Sequence, residues 1–245
     1  MISITQLRVQ YGAQVVLHDV SLGLPPGIHG IVGLNGSGKT TLLNTLAGFL
    51  RPTAGTITNG SGSLTGRSVG FLETSPFFYP RTTGREYLEL FRLANRAFDV
   101  EGWNRLFDLP LDRLIDHYST GMRKKLAFLG VVCLDRPVII LDEPYNGVDL
   151  ESYRTMKQVI GTLNDGSRVI LITSHVLESL TSLCDHIHHL SNGRIALSAP
   201  REAFPGLESR LFKNEDEQTA GLIEALRQGR GEKERRETGG RETGG

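Results

Sequence analysis

Gly33-Leu34-Asn35-Gly36-Ser37-Gly38-Lys39-Thr40 is the stretch on which the fold turns. A short apolar run, Gly30-Ile31-Val32, leads into it. Beyond it, Leu42, Leu43, Leu46, Ala47 and Leu50 share one face of a helix expected over Thr40–Leu50. Strand, glycine-rich turn and helix N-terminus, in that order, point successive backbone N–H groups at one place. Such a place suits concentrated negative charge, above all a triphosphate. Glycine lets the backbone turn tightly and approach phosphate oxygens without side chains in the way. The pattern fits G-x-x-x-x-G-K-[ST]. Lys39 is expected to reach the β- and γ-phosphates and the Thr40 hydroxyl to ligate Mg²⁺. Gly33, Asn35, Gly36, Ser37, Gly38 and Thr41 complete the expected cradle.

The second half of a phosphate site is an acidic strand end. Val138-Ile139-Ile140-Leu141-Asp142-Glu143 has that form: an apolar strand with two carboxylates at its carboxyl edge, where ligands bind in open α/β sheets. Asp142 is expected to hold Mg²⁺ through water, and Glu143 to polarise an attacking water as general base. Taken alone, two acids after a strand would read as an ordinary helix start.

Further outward the rhythm is mixed. Ile2, Ile4, Leu7 and Val9 alternate with mostly polar residues, and Val15-Val16-Leu17, Val20 and Leu22 follow, as in an antiparallel sheet with one wet face. Thr56-Ile57-Thr58, inside the turn-rich Gly55–Gly66, suggests a hairpin. From Pro76 to His117 aromatic and charged residues recur at helical spacing, which reads as a small helical insertion. A helix through Leu134, the strand Val138–Leu141, a helix Glu151–Leu163, a strand Val169–Thr173 and a helix Val176–Cys184 then follow. Apolar strands bounded by helices mark a parallel sheet covered on both faces.

Composition sets outer limits. The chain has 245 residues, and its 39% apolar share can build a packed core. Lys and Arg (27) balance Asp and Glu (27), which argues against a broad nucleic-acid footprint. Two cysteines in apolar segments indicate no disulfide framework. No apolar run approaches the ~20 residues of a membrane-spanning helix, and a cytosolic chain is expected. Glycine is in excess, 29 residues. Part of that excess lies in Gln228–Gly245, a polar stretch that repeats Arg-Glu-Thr-Gly-Gly and is expected to be a solvated, disordered tail.

Together these motifs resemble the ATP-binding cassette (ABC) ATPases over residues 1–225, with a helical insertion at about 76–135 and a polar tail at 226–245. Tyr118-Ser119-Thr120-Gly121-Met122 is similar to the family signature L-S-G-G-Q at Ser119 and Gly121, in a variant known from export-type members. The resemblance implies a P-loop NTPase fold of the α/β class, with a parallel-sheet core, an N-terminal antiparallel β subdomain and the helical insertion. It implies that Ser119 and Gly121 meet the γ-phosphate held by an opposite subunit. Read without it, Ser119 is the N-cap of a helix. The resemblance further implies that Tyr11 stacks on adenine, where the alternative is an edge-strand surface tyrosine. Asp149, in Asn146-Gly147-Val148-Asp149, would stand at the subunit contact. His175, 32 residues after Glu143, would sense or stabilise the γ-phosphate. Glu143, His175 and Lys39 are thus the expected catalytic residues.

One position departs from the family. Its usual Gln after the strand leading into the insertion is replaced by Thr74, in Gly70-Phe71-Leu72-Glu73-Thr74-Ser75-Pro76. Thr74 is shorter and would reach metal or water only indirectly, so hydrolysis and coupling are more exposed to this change than binding is. A cluster of Cys184, His186, His188 and His189 could present imidazoles on one strand face for zinc, but nothing in the sequence completes four ligands.

The resemblance implies a transport ATPase subunit, a homodimer or heterodimer closing around two ATP with Mg²⁺ to drive a separate transmembrane permease on the inner face of the membrane. Nucleic acid is not an expected partner. Phe77-Phe78-Tyr79-Pro80 is the candidate permease contact, unless these residues pack on the insertion's own helices. Alternatives are a soluble non-transport ABC ATPase and a slow-hydrolysing nucleotide-dependent regulator, the latter motivated by Thr74.

Overall fold

The computed structural model describes residues 1–60 and 62–211. The chain divides into two units, Met1–Glu202 and Ala203–Gly245. In the second, residues 207–211 are helical. The expected polar tail at 226–245 lies outside the described residues.

The first unit holds two sheets. Strands β1 (Ile2–Tyr11), β2 (Gln14–Leu24), β4 (Ala54–Asn59) and β5 (Gly62–Ser63) form an antiparallel sheet in the order β2-β1-β4-β5. The expected alternation is realised: Ile2, Ile4, Leu7 and Val9 are all buried. A shift in register between Ile4 and Leu7, with Gln6 at φ 47°, carries the apolar face across the uneven spacing.

The second sheet runs β10-β9-β3-β8-β7-β6. It is built from β3 (Gly27–Val32), β6 (Val69–Leu72), β7 (Val138–Leu141), β8 (Val169–Thr173), β9 (His186–Ser191) and β10 (Arg194–Pro200). All neighbours pair in parallel except β9 with β10, which are antiparallel. Strands β3, β7 and β8 are buried at every position, as suits their mainly apolar runs, and the polar His29 and Thr173 within them are hydrogen-bonded.

Helix α1 (Lys39–Leu46) buries Leu42, Leu43 and Leu46 in one cluster with Ile31, Ile140 and Leu171. Each leucine removed from water there contributes about 1.5–3 kcal/mol. The helix stops four residues short of the expected Leu50. Gly48 takes φ 81°, a left-handed ending that leaves Phe49 outside the helix and exposed.

Three helices fall between residues 76 and 135: α2 (Gly84–Arg92), α3 (Val100–Asn104) and α4 (Thr120–Cys133). Thr83 and Glu86 form a capping box on α2, and Asp99 and Ser119 cap α3 and α4. Helix α5 (Leu150–Leu163) is capped by Asp149. Helix α6 is Leu177–Thr181, shorter than the expected Val176–Cys184. Cys184 packs beneath Gly30, and the Asp185 N–H donates to the Ile28 carbonyl, so the chain must leave the helix to enter β9.

The histidines expected as a possible zinc cluster are used otherwise. His29 on β3 stacks against both His186 and His188 of β9, with ring centroids 5.2 and 5.4 Å away and the two β9 rings 6.3 Å from each other. Nε2–H of His29 donates to the Pro25 carbonyl at 2.8 Å, which leaves Nδ1 of the neutral ring as an acceptor. His188 therefore donates from Nε2 to His29 at 3.1 Å and accepts from Ser198 Oγ at 2.9 Å. Among the described residues no three His, Cys, Asp or Glu side chains are grouped to hold a metal ion.

Candidate active site

The phosphate loop begins where β3, flanked by β8 and β9, reaches its carboxyl end. Gly33 is required by packing: a Cβ there would lie 2.2 Å from the Leu190 carbonyl oxygen of β9. Gly38 combines φ 106° with a Cβ position 2.9 Å from Leu17 Cδ2, so it sets the entry into α1 against β2. These two glycines are thus fixed by the protein behind the loop as well as by whatever lies in front of it. Ser37 N–H donates to the Leu34 carbonyl, and the Ser37 carbonyl accepts from Gly193 N–H. The Ser37 hydroxyl is buried without a hydrogen-bond partner among the described residues.

Lys39 is 8% exposed, and its Nζ donates to the carbonyls of Gly33 (2.6 Å) and Leu34 (3.0 Å). Burial lowers its pKa, while Glu143 and Asp142 oppose that shift. Across the loop stands Asp142, at the end of β7. Its Oδ1 accepts from Thr173 Oγ1 at 2.6 Å and its Oδ2 from Thr74 Oγ1 at 2.7 Å, with Thr40 Oγ1 at 3.5 Å. Hydroxyls from α1, the β6 loop and β8 thereby fix one carboxylate.

Glu143 is 6% exposed and adopts φ 48°, an uncommon conformation for a non-glycine residue. Its N–H donates to Thr173 Oγ1 at 2.8 Å, so Thr173 bridges both acids. His175 Nε2, on the loop after β8, lies 3.1 Å from Glu143 Oε1. Burial raises the Glu143 pKa above the usual carboxylate range; His175 opposes that shift and Asp142 adds to it.

These groups surround a cleft of 460 Å³. Asn35, Gly36, Gly38, Lys39, Thr40, Thr41, Thr74, Asp142, Glu143 and His175 line it, together with Val16 and Asn146. Gly33 and Ser37 lie in the same loop without lining it. Tyr11 is exposed at the end of β1, paired with Gln14 at the hairpin, and does not line the cleft.

Ser119, Gly121 and Asp149 also stand apart from the cleft. Ser119 is exposed and accepts from Met122 N–H at 3.2 Å as the cap of α4. A Cβ on Gly121 would sit 2.7 Å from the Gly147 carbonyl, so this glycine packs the start of α4 onto the 146–149 loop. Asp149 caps α5 through Ser152 and lies 3.9 Å from Lys125. The bond from Ser152 N–H holds the Asp149 carboxyl below its ordinary range.

Two residues escaped the sequence reading. Thr173 ends a buried apolar strand and carries no motif of its own. Lys124 sits among the basic residues Arg123, Lys124 and Lys125 and looks like helix surface, yet it is 3% exposed.

The geometry agrees with what the chain is similar to. The family model described as ABC transporter matches residues 17–146, more than half of the chain. The ABC transporter ATP-binding protein NatA of Bacillus subtilis is 33% identical over 217 residues, 80% of this chain and 87% of its own length. A solved ATP-binding subunit of an ABC transporter superposes with a TM-score of 0.77 at 25% identity, over 91% of this chain and 99% of that one. The fold is shared by the dimeric cassette MJ0796, solved with ADP and Pi in a post-hydrolysis state, at a TM-score of 0.74 and 19% identity over 83% of this chain and all of that one. A phosphate loop facing a strand-end acid pair, in this sheet order and with these relatives, places the chain in the ABC transporter family of ATPases.

Proposed function

We propose that the chain is the ATP-binding and ATP-hydrolysing subunit of an ABC transporter, closing as a dimer around two ATP molecules to drive a separate membrane-spanning partner. The observation that carries this reading is the separation within one chain. Lys39, Asp142, Glu143 and His175 share one cleft, while the exposed Ser119 and the half-buried Gly121 lie outside it. One protomer thus offers half of each of two sites. Ser119–Gly121 of a second copy would supply small donors to the open side of the cleft, with Asp149 at the contact, and Tyr11 would lie against the adenine.

The residues present fit Mg²⁺. Thr40, Thr74 and Asp142 converge as an all-oxygen donor set, the kind a hard cation takes. When bound, the ion neutralises phosphate charge. Of the chain's own groups, Lys39 turns from its loop carbonyls to the β- and γ-phosphates. Glu143 accepts a proton from water as the water oxygen bonds to the γ-phosphorus. The bond from that phosphorus to the β–γ bridging oxygen breaks, and ADP and phosphate leave. Burial raises the proton affinity of Glu143, and His175 orients it.

No helix among the described residues is long and apolar enough to cross a membrane. In this reading the membrane-spanning partner is a separate chain, as for the relatives that are ATP-binding proteins of transporters, and the subunit works at the inner membrane face. Phe77 and Tyr79 are 68% and 61% exposed and meet edge-on, whereas Phe78 packs on Tyr87. The adjoining groove, lined by Phe49, Phe71, Phe77, Tyr87 and Phe91, is the docking surface of this reading.

The test is Glu143→Gln with ATP and Mg²⁺, followed by light scattering. A dimer that persists with ATP and is absent with ADP is the expected result. A protein that stays monomeric with ATP overturns the reading. Thr74 supports a second reading, a slow-hydrolysing regulator, because its hydroxyl is committed to Asp142. Turnover no faster in the wild type than in Glu143→Gln would favour it.

A further inference from the structure

Lys124 is a buried ammonium that the reaction above does not use. It projects from α4, little more than one turn beyond the Ser119 cap. Its Nζ donates to the carbonyls of Thr74 (2.7 Å) and Glu73 (3.2 Å). Burying a charge is costly unless it is paired and hydrogen-bonded. Two carbonyls bear part of that cost, and the nearby Asp142 and Glu143 carboxylates favour the charged form against burial. A helix could be anchored to a loop far more cheaply by an apolar contact, so the charge calls for an account.

The connections on either side of it supply one. Thr74 presents its carbonyl to Lys124 and its hydroxyl to Asp142 Oδ2. Asp142 shares Thr173 with the Glu143 backbone. At the other end, α4 begins at Ser119–Gly121 and packs on the 146–149 loop. Helix α4 and a set of hydrogen bonds therefore connect its start, through Lys124 and Thr74, to the Asp142 carboxylate and, through Thr173, to the Glu143 backbone. Thr74 is short, so its oxygen is held near Asp142 by its backbone, and that backbone is what Lys124 grips.

We propose that Lys124 is a positioning residue for ATP hydrolysis, tying the segment that faces one nucleotide to the carboxylates that serve the other. It rests on the dimeric reading above. Closure on the partner's ATP moves the start of α4, Lys124 carries that movement to the Glu73–Thr74 backbone, and Asp142 and Glu143 are set for reaction. Hydrolysis at one site is thereby made conditional on occupancy of the other.

The experiment is a double-mutant cycle of Lys124→Gln with Thr74→Val, read as kcat, ATP affinity and the Hill coefficient of turnover. Lys124→Gln is expected to lower kcat about 10- to 100-fold, leave ATP affinity within about twofold and bring the Hill coefficient to 1. The double variant is expected to be no slower than the slower single one, because both changes cut one path. Multiplying losses, or a Lys124→Gln protein with wild-type kcat and cooperativity, overturn the proposal. If Lys124→Gln does not fold, Lys124→Met takes its place. Methionine keeps most of the buried side-chain volume but donates to neither carbonyl, and the same loss of cooperativity is expected, with wild-type cooperativity counting against the proposal. A wild-type chain that neither dimerises as Glu143→Gln nor turns over cooperatively would instead remove the dimeric reading.

Discussion

The phosphate loop and the Ser119–Gly121 segment are both glycine-bearing turns at a helix start, yet the chain treats them in opposite ways. The loop at residues 33–38 is pressed into the molecule, with Gly33 against Leu190 and Gly38 against Leu17, and it feeds a buried lysine. The segment before α4 is capped by its own Ser119 and left open to solvent. One is a finished surface that needs only its ligand. In the proposed dimer the other is half of a surface, completed by a second copy. On that reading a single chain binds nucleotide but does not complete the reaction alone.

Substitutions at the two segments should separate binding from turnover. Lys39→Ala is expected to reduce turnover at least about a thousandfold and to abolish ATP binding in the isolated chain, measured by calorimetry; binding that survives would undo the contrast from its strong side. Ser119→Arg is expected to cost about 10²- to 10³-fold in turnover while ATP still binds the monomer normally. Equal loss of binding would mean that Ser119 contacts the chain's own nucleotide.

Acid should reach the buried half first. Burial, with His29 and His186 nearby, holds the His188 pKa down to about 3 from 6.5. The folded state keeps this ring neutral where the unfolded chain would protonate it. Its contribution to stability is complete above pH 6.5 and is lost as pH falls from there towards 3, at up to about 1.4 kcal/mol per pH unit for one proton. Thermal unfolding of His188→Gln, which keeps a donor for His29, should show a flatter acid limb than wild type; parallel limbs would refute the assignment. The smallest effect is expected at Glu143. Its folded pKa is raised, so its ionised form costs stability as pH rises above the range of an ordinary carboxylate. Glu143→Gln should raise the melting temperature of the nucleotide-free chain near neutral pH by about 2–4 °C, and an unchanged or lower value would count against burial as the cause.

Strand β3, the phosphate loop, β7 and β8 were legible because each is a local pattern: an apolar run, a fixed glycine spacing, an acid at a strand end. Asp142 and Glu143 could be placed beside Lys39 because parallel strands deliver their carboxyl ends to one edge, and His175 through the family resemblance. What local pattern does not carry is partnership across the chain. Lys124 meets Glu73 across 51 residues and His29 meets His188 across 159, and neither pair leaves a trace in the spacing of either member. Helix ends failed for a related reason. Apolar Leu183 and Cys184 continue a helical texture, but the fold needs them as the approach to β9. The glycines show the converse: Gly33 was read as making room for phosphate, and it also makes room for a carbonyl of β9.

That contact sets an order of manufacture. Strand β3 lies between β8 and β9, and the loop that leaves it rests on Leu190. A ribosome releases the phosphate loop well before the β8 and β9 walls that give it shape. Nascent chains ending before Leu190 therefore carry the whole glycine-rich motif without a pocket. Nucleotide becomes able to protect the protein from proteolysis only once β9 has been made.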